Sequence, residues 1–293
     1  MERQAVSTPA KVLVGVTYVA MIAVNALANI LPINGRTTGA VSDAYGNLFA
    51  PAGLTFSIWG VIYLLLGAQV LYQFGLFRGD KLDNGPRGGA VPLQRIGGLF
   101  SLSSLANVAW IFSWHYDLIL LSALLLATML VLLILITRTI LGADLSKRER
   151  LFVRLPFSVY FGWITVATIA NVTAWLVSIG WDGFGVSEPS WAMAIISVGA
   201  VIGSTVILRD RDVAYGLVLV WAYVGIFLKH TSEAGFNGAY PAVIATALVG
   251  IAAFVAAGSV VILRSRALRG ASARSRLERP APQKSPQTLD TAA

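Results

Sequence analysis

Trp163-Ile-Thr-Val-Ala167-Thr168-Ile-Ala-Asn171-Val-Thr-Ala-Trp175 is the stretch on which the reading of this chain turns. It is apolar enough to lie in a bilayer, yet it carries an amide and two indoles where lipid favours leucine. A side-chain amide in hydrocarbon has to face protein, water or a ligand, because lipid offers no hydrogen-bond partner. On a helix turning about 100° per residue, Pro156, Tyr160, Trp163, Ala167, Asn171, Ala174, Trp175 and Ser178 fall within about 120° of arc. The opposite face is largely Val, Ile and Leu. A second stretch, Leu105-Ala-Asn107-Val-Ala-Trp110, repeats the pattern, with Asn107 and Trp110 three residues apart on one face.

Composition frames these stretches. The chain has 293 residues, 56% apolar and only 12% charged, about half the charged fraction of an ordinary soluble domain. That is the composition of an all-α integral membrane protein with several spans. There are no cysteines, which removes disulfides, thiolate catalysis and thiolate metal sites. Two histidines, His115 and His230, leave little scope for a metal centre. The net charge of +8 reflects the surplus of Lys and Arg that membrane proteins carry in cytoplasmic loops, not a nucleic-acid partner.

Runs of roughly 20 apolar residues fit the bilayer core. Eight are legible, at 12–32, 53–76, 96–114, 118–137, 155–178, 191–208, 213–229 and 241–263. Pro32 with Gly35, the Gly75–Gly89 region and the Gly180–Pro189 region supply the breaks. Ala26-Leu27-Ala28 has the small residues of a cleavage site, but the run before it is long for a signal peptide, so span one is expected to stay.

The basic residues assign an orientation. Arg3 and Lys11, then Arg78, Lys81, Arg87 and Arg95, fall on one side. So do Arg138, Lys147, Arg148, Arg150 and Arg154, then Arg209 and Arg211, and finally Arg264 through Lys284 in the tail. Of 22 lysines and arginines, only Arg36 and Lys229 fall on the other side. The positive-inside rule then puts both termini (residues 1–11 and 264–293) in the cytoplasm, with a bacterial cell membrane as the expected compartment. The basic, Pro- and Ser-rich tail is expected to be disordered and to touch anionic headgroups.

No Asp or Glu lies firmly inside a span. Ion-coupled pumps usually need such groups. Lys229 has no carboxylate at membrane depth, which argues against a retinal Schiff base. No Walker, HExxH or GxSxG motif is present, and no acid–base pair supports catalysis, so a non-enzymatic role is expected.

Span two adds Phe56, Trp59 and Tyr63 at helical spacing, and span one adds Asn25 and Asn29 at i, i+4. With the assigned orientation these residues share the outer halves of four spans, beneath the loop 33–52. Asn25 and Asn29 read equally as helix glue. Trp114, Trp181 and Trp191 read as interfacial belt residues. Gly199 and Gly203, four apart, read as a close helix contact.

These residues, in this order, resemble the TspO/MBR family, the tryptophan-rich sensory proteins related to the peripheral benzodiazepine receptor. Phe49-Ala-Pro51-Ala-Gly53-Leu-Thr-Phe-Ser-Ile-Trp59-Gly-Val-Ile-Tyr63 is similar to the family segment that opens its second helix. Leu105 to Trp110 resembles the Leu-Asn-x-x-Trp of its third, and Trp163 to Trp175 resembles its fifth. The departures are Ala50-Pro51 for a Pro-Pro pair, Gly53 for the Trp that follows it, Ser57 for a helix proline, and Trp114-His115 for paired Phe. Pro156 lies about one turn from the position of the family's fifth-helix proline. The resemblance covers 12–178 and implies a five-helix bundle, with three additional helices over 190–263. It further implies a ligand cavity closed by the first loop, lined by Trp59, Asn107 and Trp163, with Tyr63, Trp110, Ala167, Asn171 and Trp175 near it and Pro51 and Gly53 in the lid. Family members bind tetrapyrroles, sterols and aromatic synthetic ligands and are commonly dimers. The resemblance implies no required cofactor, a tetrapyrrole- or sterol-like ligand, the lipid bilayer and a second copy as partners, and no nucleic acid.

Two functions follow. The first is a binder, sensor or carrier of flat hydrophobic molecules, with indole faces for stacking and amides to orient polar edges. The second is a small-solute permease without charge coupling. It needs a polar route to the cytoplasm, and the inner halves of the spans look poor in polar residues.

Overall fold

The computed structural model describes residues 6–77 and 91–277, with 269–277 as backbone only. Among the described residues all regular structure is helical: α1 (Thr8–Ile30), α2 (Thr38–Ala44), α3 (Ile58–Phe74), α4 (Leu93–His115), α5 (Ile119–Leu141), α6 (Lys147–Glu149), α7 (Leu155–Ser178), α8 (Glu188–Asp210), α9 (Val213–Thr231) and α10 (Pro241–Leu277). Eight segments are long and apolar enough to cross a membrane. The chain is an integral membrane protein.

The helix ends follow from local chemistry. Prolines open α1 and α8 at their second residue, where a missing N–H costs nothing. Gly75 closes α3 at φ 109°, a left-handed cap that L side chains resist. Asp212 caps α9 by accepting from the Tyr215 N–H at 3.1 Å. Ser146 and Glu149 form a reciprocal capping box on α6. A π-turn at Arg150–Arg154 runs straight into α7.

Five helices close into a ring. α1 packs on α3 and α4, α4 on α5, α5 on α7, and α7 back on α3. The remaining spans dock on one side of it: α9 packs on α7, and α10 packs on α8 and α9. In lipid there is no hydrophobic drive between helices, so close approach through small residues does the work. At Gly162 of α7 an added Cβ would lie 2.9 Å from Val218 Cβ and 3.0 Å from the Tyr215 carbonyl oxygen of α9. Gly199 and Gly203 face Tyr223 and Leu219 of α9, and Gly203 also faces Phe254 of α10, as their spacing suggests.

Two expectations need correction. The tail from Arg264 does not leave the helix at once: α10 runs on to Leu277. Residues 264–277 are rich in Ala, Arg and Leu, all strong helix formers that follow in register from the span. Residues 278–293, with Arg279 and Lys284, lie outside the described residues, as do Arg3, Arg78, Lys81 and Arg87. The spans, from mid-helix to the end away from the loop 33–52, are also less apolar than they read. Gln69, Gln73, Ser101, Ser103 and Ser104 are all buried there, because single polar residues on α3 and α4 happen to share the ring-facing side.

The loop between α1 and α3 is itself ordered. A short turn at Ile33–Gly35 leads to α2, whose N-terminus is capped by the Thr37 side chain. A 3-10 turn at Gly53–Ser57 then runs into α3. This end of the bundle is called the lid end below. The opposite end carries Arg138, Arg154, Arg209 and Arg211.

Candidate functional site

Trp59 of α3 sits at the centre of the ring near the lid end. Its ring centroid is 5.5 Å from Tyr63, 5.9 Å from Trp110 of α4, 6.1 Å from Tyr160 and 6.1 Å from Trp163 of α7. Phe56 meets Trp163 edge-on at 5.8 Å. These offset and edge-to-face arrangements let the positive edge of one ring meet the negative face of the next. Trp110 stacks in turn on Trp114 at 6.3 Å. Three helices of the ring thus converge through their indoles.

A cleft of about 30 Å³ opens between these rings, room for a water molecule or two. Trp59, Trp110 and Trp163 line it with Ala167 and Asn171 of α7, and Pro51 reaches in from the lid. These are six of the residues singled out in the sequence. The structure adds Ser42 of α2, Phe56, Trp114, Leu126 of α5, Val166 and Ala170.

The other four residues are placed elsewhere. Tyr63 stacks beneath Trp59 without reaching the cleft, and its carbonyl oxygen accepts from the Tyr18 hydroxyl at 2.8 Å. Asn107 turns toward α1, where its Oδ1 accepts from Asn25 Nδ2 at 2.6 Å. That bond makes Asn25 a helix tie. Trp175 lies in a groove at the lid end with Tyr45 and Asp117, outside the indole cluster. Gly53 opens the 3-10 turn and has nothing within 4 Å of an added Cβ, so it does not line the cleft.

The cleft's electrostatics are those of a donor site. Trp110 and Trp163 are 4% and 2% exposed, yet neither indole N–H has an acceptor. Asn171 accepts from the Ser122 hydroxyl at 3.1 Å through Oδ1. Buried N–H groups without partners are uncommon and call for a guest. No carboxylate lines the cleft, and no group of three His, Asp or Glu among the described residues is placed to hold a metal ion.

Trp114 is not the belt residue its position suggested. It is 4% exposed and its N–H donates to the Thr38 carbonyl oxygen at 3.1 Å. α2 lies over it, which no pattern in α4 announces. Its neighbour His115 has partners that the sequence hides. Nδ1 donates to the Ile33 carbonyl oxygen at 3.0 Å, and Nε2 accepts from the Thr38 hydroxyl at 3.2 Å. The carbonyl oxygen of His115 accepts from Asn34 Nδ2 at 2.9 Å.

The far half of the lid is held by α9. His230 Nε2 donates to the Leu48 carbonyl oxygen at 2.9 Å. Trp221 Nε1 donates to the Thr55 carbonyl oxygen at 3.0 Å, and the Ala52 N–H donates to the Gly225 carbonyl oxygen at 3.0 Å. Lys229 pairs with Asp43 at 2.8 Å. Nearer α4, Asp117 bonds Arg36 and accepts from the Tyr45 hydroxyl at 2.9 Å. Burial pulls the Asp117 carboxyl upward, but the bonds from Arg36 and Tyr45 and the Arg36 charge outweigh it. The carboxyl titrates below the usual range.

A family model described as TSPO-like protein matches residues 11–261, from the start of α1 into α10 and through all eight spans. No curated protein and no solved structure matches the chain.

Proposed function

The chain belongs to the TSPO-like family, and from that premise we propose that it binds flat hydrophobic molecules, tetrapyrrole- or sterol-like, between Trp59, Trp110 and Trp163. The family is one of membrane ligand-binding and sensory proteins that are generally non-enzymatic. The observation that carries the finer reading is that Trp110 and Trp163, whose rings line one cleft, both have buried indole N–H groups without an acceptor. Stacking on indole faces supplies affinity for a planar ligand, and the donors fix a carbonyl or carboxylate on its edge.

The cleft of about 30 Å³ is far below the roughly 300 Å³ or more of a small-molecule site. The ligand therefore enters by displacing side chains and lifting the lid, and the arrangement described is the closed one. Saturable quenching of tryptophan fluorescence by protoporphyrin IX tests the reading. Quenching that rises linearly, as it would with porphyrin merely dissolved in the detergent, counts against it.

A second reading, passage of a small polar solute, is favoured by one observation. Gln69 is fully buried in the half of the ring away from the lid, and neither atom of its amide has a hydrogen-bond partner. Ser101 on α4 is buried and unpartnered as well. Such groups accept water. Flux of a panel of small solutes into proteoliposomes distinguishes this reading from binding alone.

A further inference from the structure

At the arginine end, away from the indole cluster, α5 packs on α7 while α8 packs on α10 and α9. A slot of about 280 Å³ remains between α5 and α8, floored by Phe161 of α7 and Tyr215 of α9. Its walls are apolar, with Leu130 and Ile134 on one side and Ile202 and Val206 on the other. Ile134 and Ile202 are 38% and 45% exposed on the flank that faces lipid. Arg138 and Arg209 crown it. From Leu130 to Arg138 the slot runs about 12 Å along α5 at the rise of an α-helix.

The charges at the crown do not balance. Asp210, with a side chain 3% exposed, binds Arg138 Nη1 at 3.3 Å and Arg209 Nε at 2.9 Å. One carboxylate thus answers two guanidinium groups, whose side chains remain 45% and 55% exposed. Arg154 and Arg211 stand close by: Arg154 donates to the carbonyl oxygens of Asp210 and Arg211 and pairs with Asp212 at 3.8 Å. The buried carboxylate acts as a fixed post that spreads Arg138 and Arg209 over the mouth of the slot. Basic groups over an apolar groove at membrane depth have the charge and shape of one kind of occupant. It has a negative headgroup and an acyl chain.

We propose that the slot between α5 and α8 is a binding site for an anionic glycerophospholipid. Its phosphate sits on Arg138 and Arg209, and one acyl chain lies between Ile134 and Ile202. The lipid completes the contact between the five-helix ring and the last three helices, where α8 meets the ring only sparsely, through α7.

Native mass spectrometry of the full chain, extracted in detergent and given equal amounts of phosphatidylglycerol and phosphatidylcholine, tests this. The wild type should retain phosphatidylglycerol preferentially. The R138Q/R209Q double variant should lose that preference by about tenfold or more, since each basic contact is worth on the order of fivefold. R138K/R209K should keep most of it. Should the glutamine variant fail to fold, Ile134→Trp, which fills the slot and leaves both arginines, should lose the lipid on its own. Equal retention of the two lipids by the wild type overturns the proposal. So does an unchanged preference in R138Q/R209Q. Displacement of phosphatidylglycerol by equimolar inorganic phosphate would assign the arginines to a free anion and overturn the lipid.

Discussion

The imidazole Nε2 of His230 donates to the backbone carbonyl oxygen of Leu48 across 2.9 Å. The residues are far apart in sequence, and the bond joins the seventh span to the loop that roofs the ring. Together with Trp221 to Thr55 and Ala52 to Gly225, it makes α9 a support for the lid. His230→Ala combined with Trp221→Phe should loosen the lid by about 1–3 kcal/mol, the cost of one buried and one half-buried hydrogen bond. Hydrogen exchange at residues 48–56 should quicken, while exchange in α4 and α5 stays unchanged.

The side of the lid nearer α4 should respond to acid. Asp117 holds Arg36 and Tyr45, and its carboxyl is depressed below the ordinary value of 3.8. A depressed carboxyl gives stability that is fully present above its unfolded pKa and is lost as pH falls through the folded one. Protection of the lid amides at residues 33–45, taken relative to the intrinsic exchange rate at each pH, should therefore be constant from neutral pH down to about 4 and fall below it. Asp117→Asn should show the lower protection at every pH, with no further fall in acid.

Gly162 fixes the distance between the ring and the added helices. Alanine there would set its Cβ 2.9 Å from Val218 Cβ and 3.0 Å from a backbone oxygen that cannot move alone. Gly162→Ala should cost about 1–3 kcal/mol, in the range of overpacked cores, read as a lower thermal midpoint in detergent. Gly60→Ala, with nothing within 4 Å of its Cβ, should not lower the midpoint and should raise it slightly through helix propensity.

Much of this architecture was legible in the residues. Length and apolarity gave the eight spans, and the wheel of α7 gave the face that carries Trp163, Ala167 and Asn171. What the wheel could not give is which neighbour that face meets. Asn107 carries the same helical signature as Trp110, yet α1 captures its amide and only Trp110 reaches the cleft. Leu126 lines the cleft from a largely aliphatic span, where only the small hydroxyl of Ser122, one turn earlier and bonded to Asn171, hints at the inner face. His115 and His230 looked solitary because their partners are backbone carbonyls and, for His115, the hydroxyl of Thr38 in the distant lid, none of which the sequence marks. Trp175 fits the periodicity of α7 but lies too near the helix end to reach beneath the lid.

The central claim is that a planar ligand occupies the space between Trp59, Trp110 and Trp163. Titration of protoporphyrin IX, followed by its own absorption band, tests this most directly when wild type is compared with Ala167→Phe and Trp175→Ala. Ala167 lines the cleft and Trp175 does not. The account predicts that the phenyl ring of Ala167→Phe fills the cleft and weakens binding about tenfold or more, which is about 1.4 kcal/mol. Trp175→Ala should bind within about twofold of wild type. Equal affinity in wild type and Ala167→Phe, or a loss confined to Trp175→Ala, would contradict it.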